Sequence, residues 1–109
     1  MEKRGATVRL GFDGINLRAE LCGEIDQFCC DRVRREIDRE IYSCRPRVLL
    51  LDFEKVGFVD SSGLGLVMGR LNVCRDIDCQ VRVIGAGERM KRIFAMAGVE
   101  RFGPALSIL

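Results

Sequence analysis

The chain has 109 residues, 48% hydrophobic and 31% charged, with 18 Lys and Arg against 16 Asp and Glu for a formal net charge of +2. That balance describes one folded domain over 1–109 with apolar residues enough for its own core, and it excludes a disordered chain or a strongly basic nucleic-acid binder. No histidine is present, which removes Ser-His-Asp and Cys-His catalytic sets and every His metal ligand.

The start, Met1-Glu2-Lys3-Arg4-Gly5, lacks the apolar core of a signal peptide, and no apolar run approaches the ~20 residues of a membrane helix. The expectation is a cytoplasmic protein that engages no membrane and no nucleic acid. Residues 7–12 alternate apolar with other side chains, Asp13-Gly14 follows, and residues 15–21 alternate again with Ile15, Leu17, Ala19 and Leu21 on one face. Two period-two runs joined by Asp-Gly predict a β-hairpin. Gly23-Glu24-Ile25-Asp26 reads as a break, with Asp26 placed to cap or precede a helix. Cys30, Val33, Ile37, Ile41 and Cys44 then recur at three- and four-residue spacing, which predicts an amphipathic helix that Arg45-Pro46 ends.

Val48-Leu49-Leu50-Leu51 opens an apolar segment reaching Val59, the pattern of a central strand covered on both faces. A second helix is predicted from Asp60-Ser61-Ser62-Gly63-Leu64-Gly65 to about Ile77, burying Leu64, Val67, Met68 and Leu71. Gly65 and Gly69 are expected to let its backbone approach the sheet. Val81-Arg82-Val83-Ile84 predicts a further strand, closed by Gly85-Ala86-Gly87. Met90, Ile93, Phe94 and Ala97 mark a third helix, with Gly98 as its stop. Residues 99–102 read as a short last strand and residues 104–109 as at most a short helix. The order β-β-α-β-α-β-α-β gives an α/β fold: an N-terminal hairpin joining a mixed, largely parallel sheet with helices packed against it.

The segment 60–65 is where chemistry concentrates. The chain has four serines, at 43, 61, 62 and 107, and two stand side by side here. At a helix start, free backbone N–H groups and the positive dipole end favour an incoming phosphate, so the loop reads as a phosphorylation switch. Helix capping by Asp, Ser and Gly is the plain alternative. A nucleophilic serine has neither the G-x-S-x-G elbow nor a histidine base, and Lys55 lies in no supporting motif. Gly85-Ala86-Gly87 fails as a dinucleotide fingerprint because its third glycine would fall at Met90. Cys29-Cys30 and Cys74-x4-Cys79 are weak metal pairs, outweighed by six free thiols, several of them in the core. No cofactor or metal is expected. Arg89, Lys91 and Arg92 form a solvated helix face, or a docking surface for an acidic partner.

Leu49-Leu50-Leu51-Asp52-Phe53, Val56, Phe58-Val59-Asp60-Ser61-Ser62-Gly63-Leu64-Gly65 and Gly69-Arg70 together resemble the STAS domain of anti-sigma-factor antagonists. Gly23-Glu24-Ile25-Asp26 is similar to the family's Gly-Glu-(Leu/Ile)-Asp loop, and Arg92-Ile93-Phe94-x-Met96-x-Gly98-Val99 to its late Arg-Leu-Phe segment. The resemblance runs in order over nearly the whole chain. It implies a single STAS-like domain and a bacterial partner switch rather than an enzyme. The unphosphorylated protein would bind an anti-sigma factor with serine/threonine kinase activity and release a sigma factor. That kinase would phosphorylate Ser61, and a metal-dependent serine phosphatase would restore binding. The Ser-Ser pair is similar to the sporulation antagonists. The partner surface so implied comprises Glu24, Asp26, Asp60, Ser61, Ser62, Gly63 and Leu64. The alternatives are a STAS scaffold of a stress-signalling complex or a transporter, and a small serine hydrolase. Two departures from the family are the number of cysteines and the few residues left after Pro104 for a last helix.

Overall fold

The computed structural model describes residues 5–28 and 30–109. Strands β1 (Ala6–Phe12) and β2 (Asn16–Ile25) form the hairpin, with Leu10 opposite Ala19 and Phe12 opposite Leu17. Asp13 fixes its turn by accepting hydrogen bonds from the Ile15 and Asn16 amides at 2.9 and 2.7 Å. Helix α1 (Cys30–Cys44) is followed by β3 (Val48–Val59), α2 (Ser62–Arg75), β4 (Gln80–Ile84) and α3 (Glu88–Met96). The 3-10 segment Val99–Ala105 leads into β5 (Leu106–Ile108).

The five strands lie in the order β1-β2-β3-β4-β5, antiparallel between β1 and β2 and parallel thereafter. Crossovers of one hand that all step in the same direction put their helices on the same side of the sheet. Accordingly α2 packs against both α1 and α3. One core holds Leu17, Ala19, Leu21, Leu49, Leu51, Phe53, Val81 and Val83 of the sheet with Val33, Ile37, Ile41, Leu71 and Phe94 of the helices. The shortest dimension of the domain is 19 Å, room for one sheet and one helical layer.

Among the described residues no helix covers the second face of the sheet, contrary to the expectation of a strand covered on both sides. Leu50 is only half-buried there, between Arg18 and Arg82 in the parallel register. A charge network spreads over the same face, with Arg18 2.6 Å from Asp52 and 3.6 Å from Glu20, and Lys55 3.5 Å from Glu20. A run of apolar residues marks a buried strand, but cannot say how many layers bury it.

Four more expectations need correction. Gly23 does not end β2; the strand continues to Ile25 through an irregular register on either side of it. Gly23 has φ +98°, and a Cβ there would overlap the Gly5 carbonyl oxygen, so the chain bulges without breaking. On α2, the buried face is Gly63, Leu66, Val67, Arg70, Leu71 and Cys74, while Leu64 and Met68 are half-buried. The charge on Arg70 hid that stripe. Its guanidinium is 3% exposed and sits 2.7 Å from Asp38 of α1, at an angle too bent for a hydrogen bond at Nε, while its other arm reaches Asp38 at 3.2 Å. Gly65 and Gly69 face open space and bring no backbone to the sheet; Gly63 does that.

The chain end is inverted relative to expectation. Gly98 takes left-handed backbone at φ 72°, stopping α3 as predicted, but the Arg101 amide then bonds back to the Gly98 carbonyl and a 3-10 turn forms. Phe102 is held between the guanidinium groups of Arg101 and Arg75, 5.0 and 5.9 Å from its ring centre. Strand β5 comes only afterwards, with Leu106 beside Val81 and Ile108 beside Val83.

Candidate functional site

The parallel register of β2 and β3 ends with Ile25 beside Val59, and the Asp60 amide extends the ladder by bonding to the Ile25 carbonyl at 3.2 Å. Asp26 and Asp60 therefore leave the sheet about 4.8 Å apart, the spacing of neighbouring strands. Both turns, and the helix starts they lead to, emerge on one rim. That is the position at which parallel sheets carry sites.

Asp60 builds the start of α2. Its carboxylate accepts the Ser62 amide at 2.7 Å and its carbonyl accepts the Gly63 amide at 3.0 Å. Two of the helix-start N–H groups that the sequence reading left open to a phosphate are thus already satisfied. Ser61 is the N-cap residue by position, but its backbone is helical (φ −62°, ψ −13°) and its hydroxyl makes no capping bond. Asp60 performs the capping, and Ser61 stands exposed with its side chain uncommitted. Ser62, half-buried, is the first residue of the helix. Gly63 seats that first turn on the sheet: a Cβ would approach Val59 Cγ2 closer than the 3.0 Å that real contacts respect, with Met90 Cε 3.5 Å away. Leu64 is half-buried against the core.

Asp26 repeats the device on the neighbouring strand, its carboxylate accepting the Phe28 amide at 2.9 Å and its carbonyl the Cys30 thiol at 3.0 Å. Glu24, exposed, lies beside Phe58 in the register. All seven residues that the resemblance implicated, Glu24, Asp26 and Asp60 to Leu64, thus share the rim. The sequence reading passed over Phe28, which is 85% exposed on the Asp26 turn. It also missed a groove of about 430 Å³ on the other side of Ser61, where Arg89 lies 5.5 Å over the half-exposed ring of Phe58. A phenylalanine two residues after the Asp of a polar turn was the available signal for the first. The second depends on β3 and β4 being neighbours, which no local pattern reveals.

Among the described residues, no group of three His, Cys, Asp or Glu side chains is arranged to hold a metal, and Cys22, Cys44, Cys74 and Cys79 are free thiols. Cys29 lies outside the described residues, and with it the Cys29-Cys30 pair. Cys74 and Cys79 are buried together at the end of α2; interaction with Cys79 and then burial push the Cys74 thiol well above its usual range. No described helix is long and apolar enough to cross a membrane.

Residues 12–106 match the family model described as the STAS domain. The anti-sigma F factor antagonist of Paenibacillus polymyxa is 28% identical over 88 residues, which cover 81% of this chain and 75% of that protein. The anti-sigma-B factor antagonist of Listeria monocytogenes is 28% identical over 80 residues, covering 72% and 68%. Among solved structures, the unphosphorylated anti-sigma factor antagonist SpoIIAA superposes with a TM-score of 0.76 at 23% identity, over 94% of this chain and 88% of that one. The phosphorylated form of the Bacillus protein gives 0.72 at 24% identity, over 94% and 91%. These likenesses establish the fold.

Proposed function

The chain belongs to the STAS domain family, and on that premise we propose that it is an anti-sigma-factor antagonist switched by phosphorylation of Ser61. The unphosphorylated rim binds an anti-sigma factor that is also a serine/threonine kinase, and a sigma factor is released. Phosphate on Ser61 ends the complex, and a metal-dependent serine phosphatase reverses the step. The single observation that carries this reading is the division of labour at the start of α2. Asp60 caps the helix, so the exposed Ser61 hydroxyl has no structural task. The names of the curated relatives supply the class of partner.

The roles follow from placement. Ser61 is the acceptor. Asp60 and Ser62 hold the turn that presents it, Gly63 sets the depth at which that turn sits, and Leu64 offers apolar surface beside it. Glu24 and Asp26 present carboxylates to the same partner from the neighbouring strand. A phosphoryl group brings roughly −1.5 to −2 charges to a spot flanked by Asp60. In the free protein that charge remains in water, so the fold persists. In the complex it must be desolvated against the partner, and a loss of only ~3 kcal/mol weakens binding more than a hundredfold.

Incubation with an anti-sigma kinase from the same genome and ATP, followed by tandem mass spectrometry, tests the assignment. Ser61→Ala should abolish phosphate incorporation while Ser62→Ala retains most of it. Phosphate placed on Ser62 or Ser43 would overturn the reading.

A further inference from the structure

Resting on that reading, the rim carries more than an acceptor hydroxyl. A kinase that reaches Ser61 must cover the surface around it. A protein interface of ordinary size removes about 800 Å² from each partner, a disc of roughly 16 Å radius. Strand ends lie about 4.8 Å apart, so such a footprint centred on the end of β3 necessarily spans the ends of β2 and β4. One aromatic ring stands just after β2 and another near the end of β3, at the groove toward β4. Phe28, after β2, is 85% exposed on a turn that the Asp26 carboxylate pins. Phe58, near the end of β3, is 43% exposed at the lip of the groove toward β4, with the Arg89 guanidinium over its ring. Aromatic side chains and arginine are the residue types that dominate binding energy when a partner covers them. Singly, an exposed apolar residue needs no account. Two rings at neighbouring strand ends beside one uncommitted hydroxyl are a different matter.

We propose that Phe28 and the Arg89-supported ring of Phe58 are the aromatic anchors that hold the anti-sigma factor around Ser61. The matching partner face has two apolar recesses beside its phosphoryl-transfer site, one of them rimmed by an acceptor for the Arg89 guanidinium. Because Phe28 is almost wholly in solvent in the free protein, its removal costs the fold nothing while depriving the complex of a buried ring.

Calorimetric titration of the anti-sigma factor without ATP, so that no phosphoryl transfer intervenes, gives the test. Phe28→Ala should weaken binding at least tenfold with an unchanged melting temperature, and Arg89→Ala by about threefold, through the lost support of the Phe58 ring and the lost contact with the partner's acceptor. Met96→Ala is the control: Met96 is 89% exposed but sits at the far end of α3, about 13 Å from the rim by helix rise. Its affinity should stay within twofold of wild type. Phe28→Ala binding as tightly as Met96→Ala overturns the anchors while leaving the antagonist reading intact. Wild-type protein that neither binds nor is phosphorylated removes that reading, and this one with it. If Phe28→Ala instead dissociates a homodimer at unchanged affinity for the anti-sigma factor, the ring belongs to a self-interface and the proposal fails.

Discussion

The three glycines of α2 should respond with opposite signs to one substitution. At Gly65 and Gly69 a Cβ meets nothing within 4 Å, so Gly→Ala should contribute only helix propensity and reduced freedom of the unfolded chain. Each is expected to raise stability by roughly 0.5–1 kcal/mol. At Gly63 the same methyl drives into Val59 Cγ2. Valine has few χ1 alternatives, so the strain passes to the helix start, and overpacking costs about 1–3 kcal/mol. Against a propensity gain of up to ~1 kcal/mol, Gly63→Ala should lose about 1 kcal/mol net. The spread between Gly63→Ala and Gly65→Ala is then about 2 kcal/mol, or roughly 8–16 °C in Tm for a domain of this size. Urea denaturation should show it as opposite shifts in midpoint at constant slope. Equal or greater stability for Gly63→Ala would refute the packing argument. The displaced turn would also move Ser61, so phosphorylation of Gly63→Ala should slow while that of Gly69→Ala does not.

Asp52 gives a pH signature. Its burial opposes the charged form, but the Glu54 amide and the Arg18 guanidinium together hold its carboxyl below the usual range. A depressed folded value stabilises the protein above the unfolded value of about 3.9, and that contribution is lost as the pH falls through the lower folded value. Asp52→Asn should therefore be less stable than wild type at pH 7, with the difference closing below about pH 4 in a denaturation series; a constant gap contradicts the assignment. Asp26→Asn separates cap from contact, because Asn caps nearly as well as Asp. Weaker anti-sigma binding or slower phosphorylation at unchanged Tm marks a contact, whereas unaltered rates and affinity leave Asp26 a turn-former.

Much of this was legible in the sequence, because it rests on period and punctuation. The hairpin follows from alternation around Asp13-Gly14, α1 from its apolar stripe, and the turn that opens α2 from a polar Asp-Ser-Ser-Gly segment after an apolar strand. What escaped depends on neighbours in space. Leu50 looks as buried as Leu49 and Leu51 until the strand order shows that every helix lies on the other side. Arg70 reads as surface until Asp38, 32 residues earlier in the chain, is found beside it. Gly63 and Gly65 are indistinguishable without Val59. At the chain end the alternation Leu106-Ser107-Ile108 was present, but three residues are too few to outweigh the more apolar start at Val99.

The bare side of the sheet has a consequence for how this domain can diversify. Arg9 and Arg18 pair with Glu20 across the sheet from the core, and these ion pairs involve neither Ser61 nor the two rings. Changes at sites with no common partner combine additively. Lineages can therefore redraw the charge and solubility of that face without disturbing the rim, and a second module could be laid against it.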